Sequence, residues 1–260
     1  MNYEIRQHGK FRYLDEGPAT GEVLLLLHGL FGALSNWAGA IEEFRADYRV
    51  VIPLLPIYEM PLRDAGVPGL MEYVREFVTT TGLDRAPITL LGNSLGGHVG
   101  LVYALHFPAH VRRMVLTGSS GLFEDGMGGS FPKRGDYKFV ADKVAYTFYD
   151  PAVATRELID EVFEIVNSNF KCLRIIAIAK SAQRHNLSKD ISRLAQPTLL
   201  VWGLNDTITP PRVAHEFARL LPNAELHFID HCGHAPMMEH PARFNHLLRA
   251  WLATEPVAVA

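Results

Sequence analysis

The feature that most constrains this chain is an apolar run that breaks on glycine and resumes at once. Ile88-Thr89-Leu90-Leu91 leads into Gly92-Asn93-Ser94-Leu95-Gly96-Gly97. The run reads as a strand, and Leu95 to Phe107 reads as a helix that ends before Pro108. A strand that becomes a helix this abruptly leaves no room for Cβ atoms at Gly92 and Gly96. Such a turn lifts the Ser94 hydroxyl out of the sheet and sets it at a helix N-terminus, where the dipole favours developing negative charge. A bare G-x-S-x-G is also what an accidental glycine turn looks like. The strand before it and the helix after it make Ser94 a candidate nucleophile.

The same rhythm runs through most of the chain. Strand segments are expected near Tyr3–Gln7, Phe11–Asp15, Val23–Leu27, Arg49–Pro53, Ile88–Gly92, Arg112–Gly118, Thr198–Gly203 and Glu225–Ile229. The first two read as a hairpin. The continuous apolar runs among the others fit strands buried on both faces. Helices are expected over Ser35–Ala46 with Ser35 as its cap, Pro68–Thr80, Leu95–Phe107, Pro211–Leu221 and Pro241–Leu252. Between about 122 and 186 the rhythm stops. Glycine, serine and proline crowd residues 119–135, and helical stretches follow around Asp136–Phe148, Thr155–Asn167 and Lys171–Ala182. The expectation is an α/β domain with one eight-stranded, mostly parallel sheet, formed by 1–121 and 187–260. A helical insertion over 122–186 would lie at the carboxyl ends of the strands, where such sheets bind ligands.

Composition removes several alternatives. At 260 residues with 48% hydrophobic and 20% charged side chains, the chain fits one large domain with a substantial core. A formal net charge of −3 and the absence of a basic run argue against a nucleic-acid partner. The longest apolar run, Val23–Leu27, is too short to span a bilayer, and MNYEIRQHGK has no signal pattern. No membrane partner and a cytoplasmic location are therefore expected. Cys172 and Cys232 read as free, partly buried thiols. A small-molecule substrate and a monomer or homodimer complete the expectation.

A serine hydroxyl needs a base to take its proton. Of twelve histidines, His234 in CGHAPMMEHP stands just after the last strand, at the same sheet edge as Ser94. His231 is its rival. His28 and His98 flank the other motifs and read as structural. An imidazole base needs a carboxylate behind it to fix its tautomer. Asp206 in WGLNDTITP follows strand Thr198–Gly203, and one helix and one strand separate it from His234, the crossover that returns both loops to one edge. Asp230 is the runner-up. An alkoxide developing on a carbonyl also needs preorganised donors. The Leu95 amide is one candidate. The loop His28-Gly29-Leu30-Phe31-Gly32 offers the other, with the Leu30 amide favoured over that of Phe31.

HGLFG, GNSLGG, WGLNDTITP and GHAPMMEHP stand in an order that resembles the α/β-hydrolase fold superfamily, over nearly the whole chain outside 122–186. The resemblance implies that Ser94, Asp206 and His234 form a catalytic triad, that the Leu30 and Leu95 amides form an oxyanion hole, and that the insertion is a helical cap over the active site. It implies no metal and no organic cofactor. A carboxylesterase-type reaction through an acyl-enzyme is the leading expectation. GNSLGG is also similar to the elbow of carbon–carbon bond hydrolases of aromatic catabolism, but those carry an aromatic residue directly after the base histidine, where this chain has Ala235. Serine rather than aspartate at the nucleophile argues against dehalogenase and epoxide hydrolase chemistry. The chain has LLPIYEMPLRDAG where many relatives have Asp-x-x-Gly-x-Gly. From another class, a ligand receptor or slow-turnover binding protein uses the same fold with an intact triad. For substrate contacts, Phe31, Tyr146 and Phe148 are the first candidates, with Phe123, Met127, Phe131 and Tyr149 behind them. Arg174 and Lys180 are candidates for a substrate carboxylate. Leu173 to Ile176 with Ile178 reads as a buried helix face.

Overall fold

The structure, a computed structural model, describes residues 3–123, 133 and 135–254. Eight strands form one sheet: β1 (Arg6–His8), β2 (Phe11–Glu16), β3 (Val23–Leu27), β4 (Arg49–Pro53), β5 (Ile88–Asn93), β6 (Val111–Thr117), β7 (Thr198–Gly203) and β8 (Ala224–Ile229). Their spatial order is β1-β2-β4-β3-β5-β6-β7-β8. β2 pairs antiparallel with both β1 and β4, and every pairing from β4 to β8 is parallel. The expected hairpin starts later than the sequence indicates, at Arg6.

The apolar strands are continuous because both faces of the sheet are covered. Leu25 and Leu27 of β3 face one core with α2 (Val67–Thr80), α3 (Leu95–His106) and α7 (Pro211–Leu220). Leu24 and Leu26 face the other, with α1 (Ala38–Phe44) and α9 (Pro241–Leu252). β7 divides the same way, Leu200 and Trp202 against Leu199 and Val201. A strand with alternate side chains in two separate cores has no polar face to show in its sequence.

Ser35 does not cap the helix expected over Ser35–Ala46. Leu34–Trp37 forms a separate 3₁₀ turn, in which the Asn36 side chain accepts from the Ala33 amide, and α1 starts only at Ala38. The sequence signal was right about a helix start but placed it one turn early, because two successive short helices share one apolar pattern.

The insertion contains α4 (Tyr137–Ala145), α5 (Arg156–Asn167) and α6 (Asn169–Arg184). Asp136, Thr155 and Ser168 cap them by accepting from the amides of Phe139, Leu158 and Lys171. α4 and α5 share a core of Val140, Val144, Val162 and Val166. The insertion's two ends are fastened side by side. The Leu187 amide donates to the Gly121 carbonyl at 2.8 Å and Asn186 Nδ2 to the Leu122 carbonyl at 2.6 Å. Among the described residues, no helix is long and apolar enough to cross a membrane.

The topology itself makes a crevice. From β3 the chain moves outward to β4, then returns across β3 to β5 and continues the other way. The loops leaving β3 and β5 therefore diverge at the carboxyl edge, where ligands of such sheets bind.

Candidate active site

Ser94 occupies that crevice. It links β5 to α3 with φ 53° and ψ −121°, a left-handed backbone on a non-glycine residue. Strain of this kind persists only where surrounding structure dictates it. Here a Cβ on Gly92 would lie 2.5 Å from Gly97, and one on Gly96 would run into the Leu27 carbonyl at the end of β3. The second clash differs from the sequence argument: Gly96 is needed for the approach of α3 to the neighbouring strand, not for the turn alone. The Ser94 amide donates to the Thr117 carbonyl of β6 at 3.1 Å.

Asp206 and His234 come together from the loops after β7 and β8. His234 Nδ1 stands 2.9 Å from Asp206 Oδ2 and 3.1 Å from Oδ1. A carboxylate only accepts, so this contact puts the ring proton on Nδ1 and makes Nε2 the unprotonated, basic nitrogen. Both residues are buried. Asp206 is compensated by further donors: the Ile208 and Thr209 amides at 2.8 and 2.9 Å, and Thr209 Oγ1 at 2.9 Å. Thr209 went unnoticed in the sequence. An Asp that accepts from amides two and three residues on is an ordinary turn arrangement, and Asp-Thr-Ile-Thr was its visible signal.

The rival residues lie elsewhere. His231 and Asp230 are exposed and pair with each other at 3.2 Å. Buried His28 braces the HGLFG loop: Nδ1 reaches the Gly29 carbonyl at 3.0 Å, and Nε2 accepts from the Leu55 amide at 3.1 Å. Burial holds its pKa below the ordinary histidine value. His98 stacks on His185 with their ring nitrogens 3.0 Å apart. The Cys232 thiol is buried beside Glu239 and Asp206. Burial and then those charges push its pKa up, so it stays protonated and un-nucleophilic.

A cavity of about 440 Å³ joins these pieces. Ser94, His234 and the loops carrying Leu30 and Leu95 line it on the sheet side. Aliphatic side chains of α4, α5 and α6, among them Val144, Val162 and Ile178, line it on the other. Among the described residues, neither the Leu30 nor the Leu95 amide donates to a group of the protein, and Leu95 is the first residue of α3, where an intrahelical acceptor is lacking. Phe31 and Phe148 line the cavity as expected from the sequence. Tyr146 does not. It is exposed and lines a separate surface recess with Tyr149 and Leu204, because α4 ends there and turns its last side chain outward. Phe123 is exposed under the Arg212 guanidinium, and Met127 and Phe131 lie outside the described residues. Lys180 lines the cavity, whereas buried Arg174 spends its donors on the Met60 and Phe170 carbonyls. Leu173 is exposed and Ile176 half-buried, and the buried face of α6 is Cys172, Arg174, Ile175, Ile178 and Ala182.

The comparisons decide the family. The sequence profile of the alpha/beta hydrolase family matches residues 24–247. The chain belongs to the alpha/beta hydrolase family. It is 42% identical to MGS-MChE2, an alpha/beta hydrolase enzyme from the metagenome of sediments of the Mar Chica lagoon in Morocco. That solved structure superposes with a TM-score of 0.78, over 96% of this chain and 97% of the other. Monoacylglycerol lipase abhd6-B of Xenopus laevis is 25% identical over 98% of this chain and 82% of its own length. A 2-hydroxy-6-oxononadienedioate/2-hydroxy-6-oxononatrienedioate hydrolase of Paraburkholderia phymatum is 27% identical over 96% and 91%. A monoacylglycerol lipase and a dienedioate/trienedioate hydrolase thus both stand among the relatives of this alpha/beta hydrolase.

Two residues that sequence reasoning passed over tie the site of this hydrolase together. Asn93, the variable position of the glycine-serine motif, donates through Nδ2 to the Thr117 carbonyl at 3.0 Å and the His234 carbonyl at 3.2 Å. Gly118, with φ +51°, lies so close to His234 that a Cβ would stand 2.6 Å from its carbonyl oxygen and 2.8 Å from Nδ1. The contacts with His234 have no local sequence signal, since both partners stand more than a hundred residues from it along the chain.

Proposed function

We propose that this alpha/beta hydrolase cleaves carboxylic esters of small or medium acyl groups through an acyl-enzyme. The observation that carries the reading is Ser94 and His234 on one wall of an apolar cavity, with His234 bonded to a buried Asp206. Ser94 Oγ attacks the ester carbonyl while His234 Nε2 takes its proton. Asp206 holds the imidazole through Nδ1 and stabilises the imidazolium. The Leu30 and Leu95 amides stabilise the tetrahedral oxyanion, assisted by the N-terminus of α3. Collapse of this intermediate expels the alcohol, which takes the proton from Nε2. Water then attacks the acyl-enzyme, giving its proton to Nε2, and the carboxylic acid leaves as Ser94 recovers its proton.

A volume of about 440 Å³ lies toward the lower end for small-molecule sites and suits a modest acyl chain. The monoacylglycerol lipase relatives support an ester substrate. Ala235, buried on the cavity wall directly after the base, favours ester over carbon–carbon cleavage because it supplies no aromatic surface there. Turnover of p-nitrophenyl esters, read beside covalent labelling by a fluorophosphonate, tests the assignment. Ser94→Ala is expected to lose labelling and to lower kcat by about 10⁴-fold or more with an unchanged melting temperature. Retained turnover in that variant overturns the role of Ser94. Labelling without turnover of any ester transfers the assignment to a carbon–carbon substrate or to a ligand receptor.

A further inference from the structure

We propose that Glu239 is a positioning residue that sets the orientation of His234. The proposal rests on the reading of His234 as the base. Glu239 closes the short helix α8 (Pro236–Glu239), five residues beyond His234. Its carboxylate gathers amides from both sides of the histidine. Oε1 accepts from Gly233 at 2.9 Å and Ala235 at 3.3 Å. Oε2 accepts from Gly233 at 3.0 Å and from Tyr149 at 2.7 Å. Glu239 is not among the residues that line the cavity, so its effect on substrate passes through His234.

The rest of the base loop is equally constrained. The His234 amide donates to the Thr147 carbonyl at 2.9 Å, and its carbonyl accepts from Asn93. A Cβ on Gly233 would stand 2.7 Å from that Thr147 carbonyl, so the loop lies flat against the turn after α4. Three successive amides, 233 to 235, thus have fixed acceptors, and one carboxylate supplies two of them. Bonds from amides to an ionised acceptor are stronger than neutral ones and fix direction as well as distance. Through the Tyr149 amide the same carboxylate also joins the base loop to the insertion. Thr207 Oγ1, beside Asp206, donates to the Tyr146 carbonyl at 3.1 Å. The turn after α4 therefore touches the loops of both acid and base, and Glu239 is the side chain that holds it to the base.

Glu239→Gln separates positioning from bulk. Glutamine keeps the size and one acceptor, but its NH₂ group must face amide donors where a carboxylate oxygen accepted. Two readouts are compared in wild type, Glu239→Gln and Asn245→Ala. Asn245 of α9 donates to the Gly39 carbonyl of α1, makes no hydrogen bond to Glu239 or His234, and serves as a stability control. The first readout is the ring ¹⁵N shifts of His234, which report the share of the Nδ1–H tautomer. The second is kcat against KM for a p-nitrophenyl ester. In Glu239→Gln we expect a mixed tautomer and a kcat lowered by about tenfold or more, with KM within about twofold, as a misplaced catalytic group gives. Asn245→Ala is expected to lower the melting temperature without moving either readout. Unchanged ring shifts and kcat in Glu239→Gln overturn the proposal, as do equal losses in Asn245→Ala. If the wild type turns over no ester, the ester reading fails on its own, and the ring shifts still decide the role of Glu239.

Discussion

At the residue scale the site depends on positions where the backbone or a neighbour leaves no choice. Gly118 is the sharpest case. Its φ of +51° disfavours any side chain, and a methyl group there would press on the His234 ring that bonds Asp206. Gly118→Ala is expected to cost about 1–3 kcal/mol in stability and to lower kcat by about 100-fold, since small displacements of a catalytic group have effects of that order. Urea unfolding and steady-state kinetics of the purified variant check it; a variant with wild-type kcat would show that the ring tolerates the methyl. Ser94, Asp206 and His234 were legible in the sequence because each stands where a strand ends, in an order that leads all three to one edge. Asn93, Gly118 and Glu239 were not. Asn93 and Glu239 bond backbone groups, which have no identity in a sequence, and Gly118 acts through the close approach of a residue far along the chain. Tyr146 and Phe148 show a further limit. They are two residues apart just beyond α4, and only Phe148 reaches the cavity, though composition treats them alike.

At the element scale the joint between insertion and sheet carries a titratable pair. His98 on α3 and His185 just beyond α6 stack with nitrogens 3.0 Å apart. Burial, with the adjacent His185 second, holds the His98 pKa down to about 3, far below the usual 6.5. Folded protein therefore binds fewer protons at this site than unfolded protein does between about pH 6.5 and pH 3. Stability must rise with pH across that window and fall as the solution is acidified through it. His98→Leu removes the titration. Its urea midpoint is expected to vary less between pH 7 and pH 4 than that of the wild type. Parallel pH dependences would mean that other groups govern the acid limb. The sequence reads His98 as structural; its partner lies 87 positions away and nothing local announced it.

At the scale of the whole molecule the cavity belongs to neither layer alone. The sheet edge supplies Ser94 and His234, and α4, α5 and α6 supply the apolar wall. Substrate size is then a property of how closely the two layers approach. Val162, buried in the α4–α5 core and facing the cavity, tests this. Val162→Phe is expected to lower kcat/KM for hexanoyl relative to acetyl p-nitrophenyl esters by roughly tenfold, the scale on which one or two methylenes discriminate in an apolar pocket. An unchanged chain-length profile would place the acyl group elsewhere in the cavity.

What the sequence determined by itself is the sheet, the sequence of strands and helices, and the strand-end positions of Ser94, Asp206 and His234. These follow from local causes: apolar runs that need two covered faces, glycines that alone permit the turn at Ser94, and loops that fall at strand ends. The tertiary structure alone decided which aromatic residues line the cavity, how Asp206 is compensated, and what holds His234 in place. Those outcomes arise where segments far apart in the chain press together, and whether a side chain faces the cavity or the solvent is fixed by that packing rather than by its neighbours in sequence.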